Sequence, residues 1–201
     1  MIRVMLAEDQ GMVRGALASL LGLEDDLEVV GEAGDGDEAV RVAARVRPDV
    51  ALLDIEMPGR DGLSAAPGIR AAAPGCEIMI LTTFGRPGHL RRAMAAGASA
   101  FLVKDGPAQE LAAAIRRVVA GERVIDPALA AAALGADPNP LSPRECAVLT
   151  AGAGGATVAD ISAALHLPEG TVRDHLSAAI GKVGARDRSE AVHAARDQGW
   201  L

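Results

Sequence analysis

The segment VALLDIEMPGRDG, residues 50–62, decides the fold of this chain. Four apolar residues lead to a carboxylate at Asp54, and a Pro-Gly pair then breaks the segment. A short apolar run bounded by such breakers predicts a buried strand that delivers Asp54 to the edge of a sheet. A second apolar run, residues 2–7, ends in Glu8 and Asp9. If the two runs are neighbouring parallel strands, all three carboxylates meet at one edge of the sheet.

Three carboxylates at one edge predict a particular chemistry. Like charges at close range repel one another, and a hard divalent cation with oxygen ligands relieves that repulsion. The arrangement therefore indicates a metal-assisted phosphoryl acceptor in which Asp54 is the nucleophile and Glu8 and Asp9 help to hold the metal. An ordinary turn or helix-cap carboxylate is the alternative interpretation of Asp54 taken alone.

Strand and helix patterns alternate through the first 120 residues. This alternation predicts an α/β domain, a doubly wound five-stranded parallel sheet covered by helices on both faces. The expected strands are residues 2–7, 27–32, 50–53, 77–81 and 100–103, with helices at about 12–22, 36–46, 62–72, 87–96 and 107–120.

Two further polar residues follow expected strands and belong at the same edge. The Lys104 ammonium would reach a phosphoryl oxygen, and the Thr82 hydroxyl would donate to the same group. Each has a simpler alternative: Lys104 as a surface lysine, and Thr82 as a β-branched residue that finishes a strand, with Thr83 adjacent. The coincidence of all these residues at strand ends favours the functional interpretation.

The character of the chain changes after residue 121. Residues 122–140 are interpreted as a linker, with a short helix at Ala128–Leu134. Residues 141–201 predict a small all-α domain with helices at about 143–152, 157–164, 169–183 and 187–198. A tight turn near Pro168 joins the middle two as a helix-turn-helix, whose second helix would present Arg173, Asp174, Ser177 and Lys182 to a DNA groove. A plain four-helix packing module is the alternative.

Composition limits the class of protein. The net charge of −7 argues against whole-chain electrostatic binding of nucleic acid, and residues 141–201 hold six Lys or Arg against seven Asp or Glu. A DNA-binding domain of that balance should bind weakly as a monomer, because phosphate neutralisation dominates affinity. The two cysteines are far apart and are expected to be reduced thiols. No membrane span or leader is evident, so we expect a cytoplasmic protein without membrane insertion.

The acidic motifs resemble the receiver domain of bacterial two-component response regulators. The resemblance covers about residues 1–121 and rests on Ala7-Glu8-Asp9, the segment 54–62, Thr82 and Lys104. It implies a sensor histidine kinase as phosphodonor and Mg²⁺ as cofactor, held by Glu8, Asp9, Asp54 and the backbone carbonyl of Glu56. It also implies that Thr82 and Phe101 form a switch pair, in which the aromatic ring turns inward on phosphorylation.

Residues 141–195 resemble the helix-turn-helix of NarL/FixJ (LuxR-type) regulators. The resemblance implies a transcription factor that forms a homodimer on phosphorylation, binds promoter DNA and has RNA polymerase as a further partner. Pro168 departs from the family, where Ser or Thr usually caps the recognition helix. The expected DNA-binding residues are Thr171, Arg173, Asp174, Ser177, Lys182 and Arg188. The resemblance also uses Leu141, the segment 143–145, Val148, Leu149, Gly155, Ile161, Leu165, Val172 and His175.

A finer resemblance and two alternatives complete the expectations. Residues 2–10, 21–31 and 81–88 resemble a subgroup that controls a membrane fatty-acid desaturase, in which receivers pair through their first and last helices, here about 11–22 and 107–120. One alternative is an enzyme with an aspartyl-phosphate intermediate, such as a dehalogenase-type phosphatase. The segment 54–57 offers Glu56 as a second acid but no Thr, and no cap domain fits, so we expect no enzyme. The other is a phosphorylation-dependent protein-binding module that no longer reads DNA.

Overall fold

A computed structural model describes residues 1–83, 87–134 and 139–201. Residues 84–86, used in the subgroup resemblance, and residues 135–138 of the expected linker lie outside these ranges. The chain divides into two compact units, one built mainly from residues 1–130 and the other mainly from residues 139–201. Each unit has its own hydrophobic core.

The first unit contains a parallel sheet in the order β2-β1-β3-β4-β5-β6. The first five strands confirm the doubly wound α/β prediction. The sixth is a correction: two residues pair beside Ala100 and Phe101, in a segment that we interpreted as linker. A two-residue strand leaves no periodicity to detect. The strands are β1 (Ile2–Ala7), β2 (Leu27–Ala33), β3 (Val50–Asp54), β4 (Glu77–Thr82), β5 (Ala100–Val103) and β6 (Val124–Ile125).

Helices connect the strands of this unit. Capping residues mark the ends of several of these helices. At the start of two helices, the side chains of Asp35 and Asp61 accept a hydrogen bond from a backbone N–H. Two other helices are followed by glycines with positive φ, Gly97 at 82° and Gly121 at 87°. The helices are α1 (Gly11–Leu21), α2 (Gly36–Val46), α3 (Gly62–Ala72), α4 (Pro87–Ala95), α5 (Ala108–Val119) and α6 (Pro127–Leu134).

Apolar side chains on the central strands hold the first unit together. The core that joins the sheet to α1 and α5 contains Leu6, Leu52 and Leu81 from the strands and Leu21 and Ile115 from the helices. All five residues of β3 are buried, which explains why its sequence is a continuous apolar run rather than an alternation. The buried strand therefore fixes Asp54 at its carboxyl end.

The second unit is all-helical, as predicted. Ser142 and Glu145 form a reciprocal capping box around Pro143, and Thr157 and Asp160 form another. Its core is made of buried apolar residues from all four helices, including Val148, Ile161 and Val172. The helices are α7 (Pro143–Gly152), α8 (Val158–Leu165), α9 (Glu169–Val183) and α10 (Arg188–Asp197).

Candidate functional site

Three carboxylates converge at the carboxyl edge of the sheet. Oxygen atoms of Glu8, Asp9 and Asp54 all lie within 4.8 Å of one another. Glu8 and Asp54 are buried, with 2% and 4% of their surfaces exposed, whereas Asp9 is exposed. Parallel pairing of β1 with β3 creates this cluster, because it brings Ala7 beside Leu53. Buried carboxylate oxygens grouped around an exposed one fit a hard divalent cation such as Mg²⁺, which would supply positive charge for a phosphoryl group.

Lys104 neutralises part of the negative charge of the cluster. Its Nζ lies 2.6 Å from Oε2 of Glu8 and 3.0 Å from Oδ2 of Asp54. Burial acts to lower the pKa of Lys104, but its hydrogen bonds to Glu8 and Asp54 outweigh this and raise the pKa. The Lys104 backbone N–H also donates to the carbonyl of Thr82, 2.9 Å away. The Lys104 ammonium is therefore protonated and is held beside Asp54, which the sequence predicts to be the nucleophile.

Three further residues of the predicted site, Thr82, Phe101 and Glu56, lie in the same unit. Thr82 ends β4 and is buried, one strand from Asp54. Phe101 lies in β5 with its side chain fully buried. The loop that carries Glu56 is held by the Ile55 carbonyl, which accepts N–H bonds from Met57 and Gly62. Glu56 is exposed and lies two residues after Asp54, the last residue of β3.

Arg14 is a contributor that sequence analysis missed. Its Nη1 donates to the backbone carbonyl of Glu8 at 2.5 Å, and its Nε lies 3.2 Å from Oε2 of Glu32. The side chain therefore ties the start of α1 to the backbone of Glu8, the first residue of the acidic cluster. A basic residue one turn into a helix is common, so no sequence signal distinguished Arg14.

The second unit presents an exposed helical face on α9. Val172, Leu176 and Ala179 are buried, while Arg173, Asp174 and Ser177 are exposed, as the helical pattern predicted. The helix begins at Pro168 without a side-chain cap. Thr171 lies half-buried in the first turn.

Two of the expected DNA-binding residues are engaged within the domain. Nζ of Lys182 lies 2.8 Å from Oε2 of Glu145, and Nη1 of Arg188 donates to the Ala156 carbonyl at 2.7 Å. Hydrogen bonds from Lys182 and from the Ser142 backbone lower the pKa of Glu145 to about 2. These contacts give Lys182 and Arg188 structural roles that their spacing in the sequence did not reveal.

No helix in the described part of the chain is long and apolar enough to cross a membrane.

Two known domain families match this chain. The family described as "Response regulator receiver domain" matches residues 4–116. The family described as "Bacterial regulatory proteins, luxR family" matches residues 139–195. The first match covers most of the first compact unit, and the second match lies within the second unit.

Known proteins match along the whole chain. The uncharacterised transcriptional regulatory protein YvfU and the transcriptional regulatory protein DesR, both of Bacillus subtilis (strain 168), are each 45% identical over 201 residues, with 100% of both chains covered. The crystal structure of ChrA, a response regulator in a heme-sensing two-component system, is similar with 35% identity and a TM-score of 0.59. That match covers 100% of this chain and 98% of the other.

Proposed function

Because the chain belongs to the LuxR-type response regulators and is therefore a transcriptional regulator of a two-component system, we propose that Asp54 is its phosphoacceptor. The observation that carries this proposal is the cluster of Glu8, Asp9 and Asp54 around the Lys104 ammonium. No other described group of three or more His, Cys, Asp or Glu side chains approaches closely enough to form a metal site.

The chemistry follows from the charges. An oxygen of Asp54 attacks the phosphorus of the donor, the bond from phosphorus to the donor breaks, and an acyl phosphate forms on Asp54. Glu8, Asp9, Asp54 and the Glu56 carbonyl would hold Mg²⁺, which supplies positive charge to the phosphoryl oxygens. The Lys104 ammonium then replaces its contact to the Asp54 carboxylate with a contact to a phosphoryl oxygen. A sensor histidine kinase is the proposed donor.

Thr82 and Phe101 are the proposed switch. The acyl phosphate offers more acceptor oxygens than the carboxylate, so the Thr82 hydroxyl gains a bond by moving toward it. Phe101 is already fully buried, and it lacks the hydroxyl that would favour an outward, hydrated ring. We therefore expect the inward ring to be populated before phosphorylation, with Thr82 as the residue that changes most.

A homodimer through α1 and α5 is the proposed response to phosphorylation. Four large apolar side chains on or next to these helices are exposed: Met12 and Leu20 on α1, Leu23 just after it, and Val119 on α5. Covering such a surface with a second copy buries apolar area and brings two DNA-binding units together. Binding to two half-sites at once compensates for the weak DNA affinity expected of a single domain that carries slightly more acidic than basic residues.

The proposed ligand of the dimer is promoter DNA, with RNA polymerase as a further partner. Thr171, Arg173, Asp174 and Ser177 would face the groove, and Lys182 and Arg188 would support the domain while remaining near the phosphates. A desaturase gene is a candidate target, but YvfU and DesR are equally similar to this chain, so identity does not select a promoter.

The protein-binding alternative rests on one observation, the weakly basic surface of α9. Its exposed charged residues are Glu169, Arg173, Asp174 and Lys182, two acidic and two basic. An enzyme that turns over an aspartyl phosphate is disfavoured, since the family is one of regulators.

The test is a comparison of genomic fragments retained by wild type and Asp54→Asn, each with and without acetyl phosphate and Mg²⁺. We expect a few promoters to be enriched by phosphorylated wild type alone. Asp25→Asn, which removes an exposed carboxylate remote from the cluster, is the matched control and should behave as wild type. Equal enrichment in every sample would refute control by Asp54, and no enrichment would favour the protein-binding alternative.

A further inference from the structure

The exposed face of α9 carries several small residues. Its exposed positions are Glu169, Gly170, Arg173, Asp174, Ser177, Ala178, Gly181 and Lys182. Of the four charged residues, Glu169 pairs with Arg173, and Lys182 pairs with Glu145 of another helix. If this face enters a DNA groove, the adjacent residues Arg173 and Asp174 are the charged side chains at its middle and are best placed to contact bases.

Two glycines lie on this face of α9. An ideal Cβ placed on Gly170 or Gly181 meets nothing within 4 Å, and neither residue has a positive φ. Within the described residues, therefore, nothing requires glycine at these positions, although glycine weakens a helix. Glycine here leaves room for a surface outside the domain to approach the helix more closely than a Cβ would allow.

Arg173 and Asp174 differ in their surroundings. Nη2 of Arg173 lies 2.6 Å from Oε2 of Glu169, one turn earlier, which holds the guanidinium along the helix. The side chain of Asp174 makes no hydrogen bond or ion pair within the described part of the chain. An unpaired carboxylate is repelled by the phosphates of a groove, so its presence there is favourable only opposite a donor group.

We propose that Asp174 selects a cytosine at one fixed position in each half-site, an inference that rests on the DNA-binding function proposed above. In the major groove the cytosine edge presents an amino donor at N4, which the carboxylate accepts. Guanine and thymine present acceptors there. Adenine offers its N6 amino group but places the N7 acceptor beside it, which repels the second carboxylate oxygen. The repulsion between Asp174 and the DNA phosphates is thus offset only where a cytosine lies opposite the carboxylate.

The test is selection of binding sites from a random duplex library by the phosphorylated protein. Wild type should require cytosine at one position of each half-site, and Asp174→Asn should change that preference to adenine, because an amide pairs with adenine N6 and N7. We expect wild type to bind the cytosine site about tenfold more tightly than the adenine site, and Asp174→Asn to show the reverse ratio. Asp174→Ala should lose the preference at that position and retain the others.

The measured quantity is a ratio of affinities between two sites that differ only at this base pair. That ratio cancels the uniform gain in affinity from removing a negative charge, and Asp25→Asn serves as the charge-matched control. Unfolding monitored by the single tryptophan, which packs in the same domain, checks that each variant is folded. Wild type without any base preference would overturn the DNA-binding proposal itself. Sequence-specific binding with an unchanged preference in Asp174→Asn would overturn only the role of Asp174.

Discussion

Nζ of Lys104 lies 3.0 Å from Oδ2 of Asp54, and both side chains are largely withdrawn from water. The same ammonium contacts Glu8, so one cation neutralises part of a cluster of three carboxylates. A buried carboxylate without a cationic partner is costly, so Lys104 offsets the cost of burying Asp54 before any phosphoryl group is present. The ammonium proposed to bind the phosphoryl group is already held beside the proposed acceptor.

Removal of that ammonium should make the protein depend on a divalent cation. We expect Lys104→Met to lower the free energy of unfolding in a chelator by about 3 kcal/mol, because a buried ion pair loses one partner. Mg²⁺ should then bind more tightly than to wild type and should raise the Tm by a larger amount. Differential scanning calorimetry with and without Mg²⁺ measures both effects.

The control is Lys182→Met, which breaks the comparable Lys182–Glu145 pair in the second unit. Its response to Mg²⁺ should equal that of wild type. Weaker Mg²⁺ binding by Lys104→Met than by wild type would show that the ammonium does not compete with the metal for the carboxylates.

Acidification should weaken the second unit through Glu145. Its pKa is lowered from 4.5 to about 2 by the Lys182 hydrogen bond and the Ser142 backbone. The lowered pKa contributes stability that is complete above about pH 4.5 and is lost as pH falls toward 2. We expect Glu145→Gln to cost about 1 kcal/mol at neutral pH, a small value because Lys182 is partly exposed.

This difference should shrink as the pH falls, since wild type loses the same charge by protonation. Urea unfolding followed by fluorescence of the only tryptophan, which packs against the core of this unit, measures this difference. Glu169→Gln, in an exposed pair with Arg173, is the control and should have little effect. A constant difference from pH 7 to pH 3 would contradict the assignment.

Gly62 should tolerate no side chain. A Cβ at this position would overlap the backbone carbonyl oxygen of Asp54. We expect Gly62→Ala to destabilise the first unit by about 1–3 kcal/mol and to slow phosphoryl uptake, because the peptide of the acceptor must shift. Gly75→Ala, whose Cβ meets nothing within 4 Å, should be close to neutral in both assays. Phosphoryl uptake at the wild-type rate in the Gly62→Ala variant would show that this contact does not position Asp54.

Gly181 should show opposite effects on stability and on DNA binding. Alanine fits the helix without contact, so Gly181→Ala should stabilise the second unit by about 0.5–1 kcal/mol. The added methyl group should nevertheless weaken binding to the selected DNA, as it separates α9 from the groove. Gly154→Ala, outside α9 and equally open, is the control for binding. Unchanged affinity would place the approaching surface elsewhere.

Sequence patterns predicted most of the fold because each signal was local. The first five strands and the helices expected at about 62–72 and 143–152 each depend on a few neighbouring residues. The sixth strand was missed because two residues contain no pattern. It forms only because residues 124 and 125 lie beside the exposed edge of β5.

The sequence by itself determined which residues end the strands, and therefore that Glu8, Asp54, Thr82 and Lys104 share one edge of the sheet. Only the tertiary structure decided which long side chains meet. Lys182 pairs with a residue 37 positions away, and Arg14 binds the backbone of Glu8. Flexible side chains reach several partners from one helical position, so their pairing depends on distances between elements, and no local pattern encodes those distances.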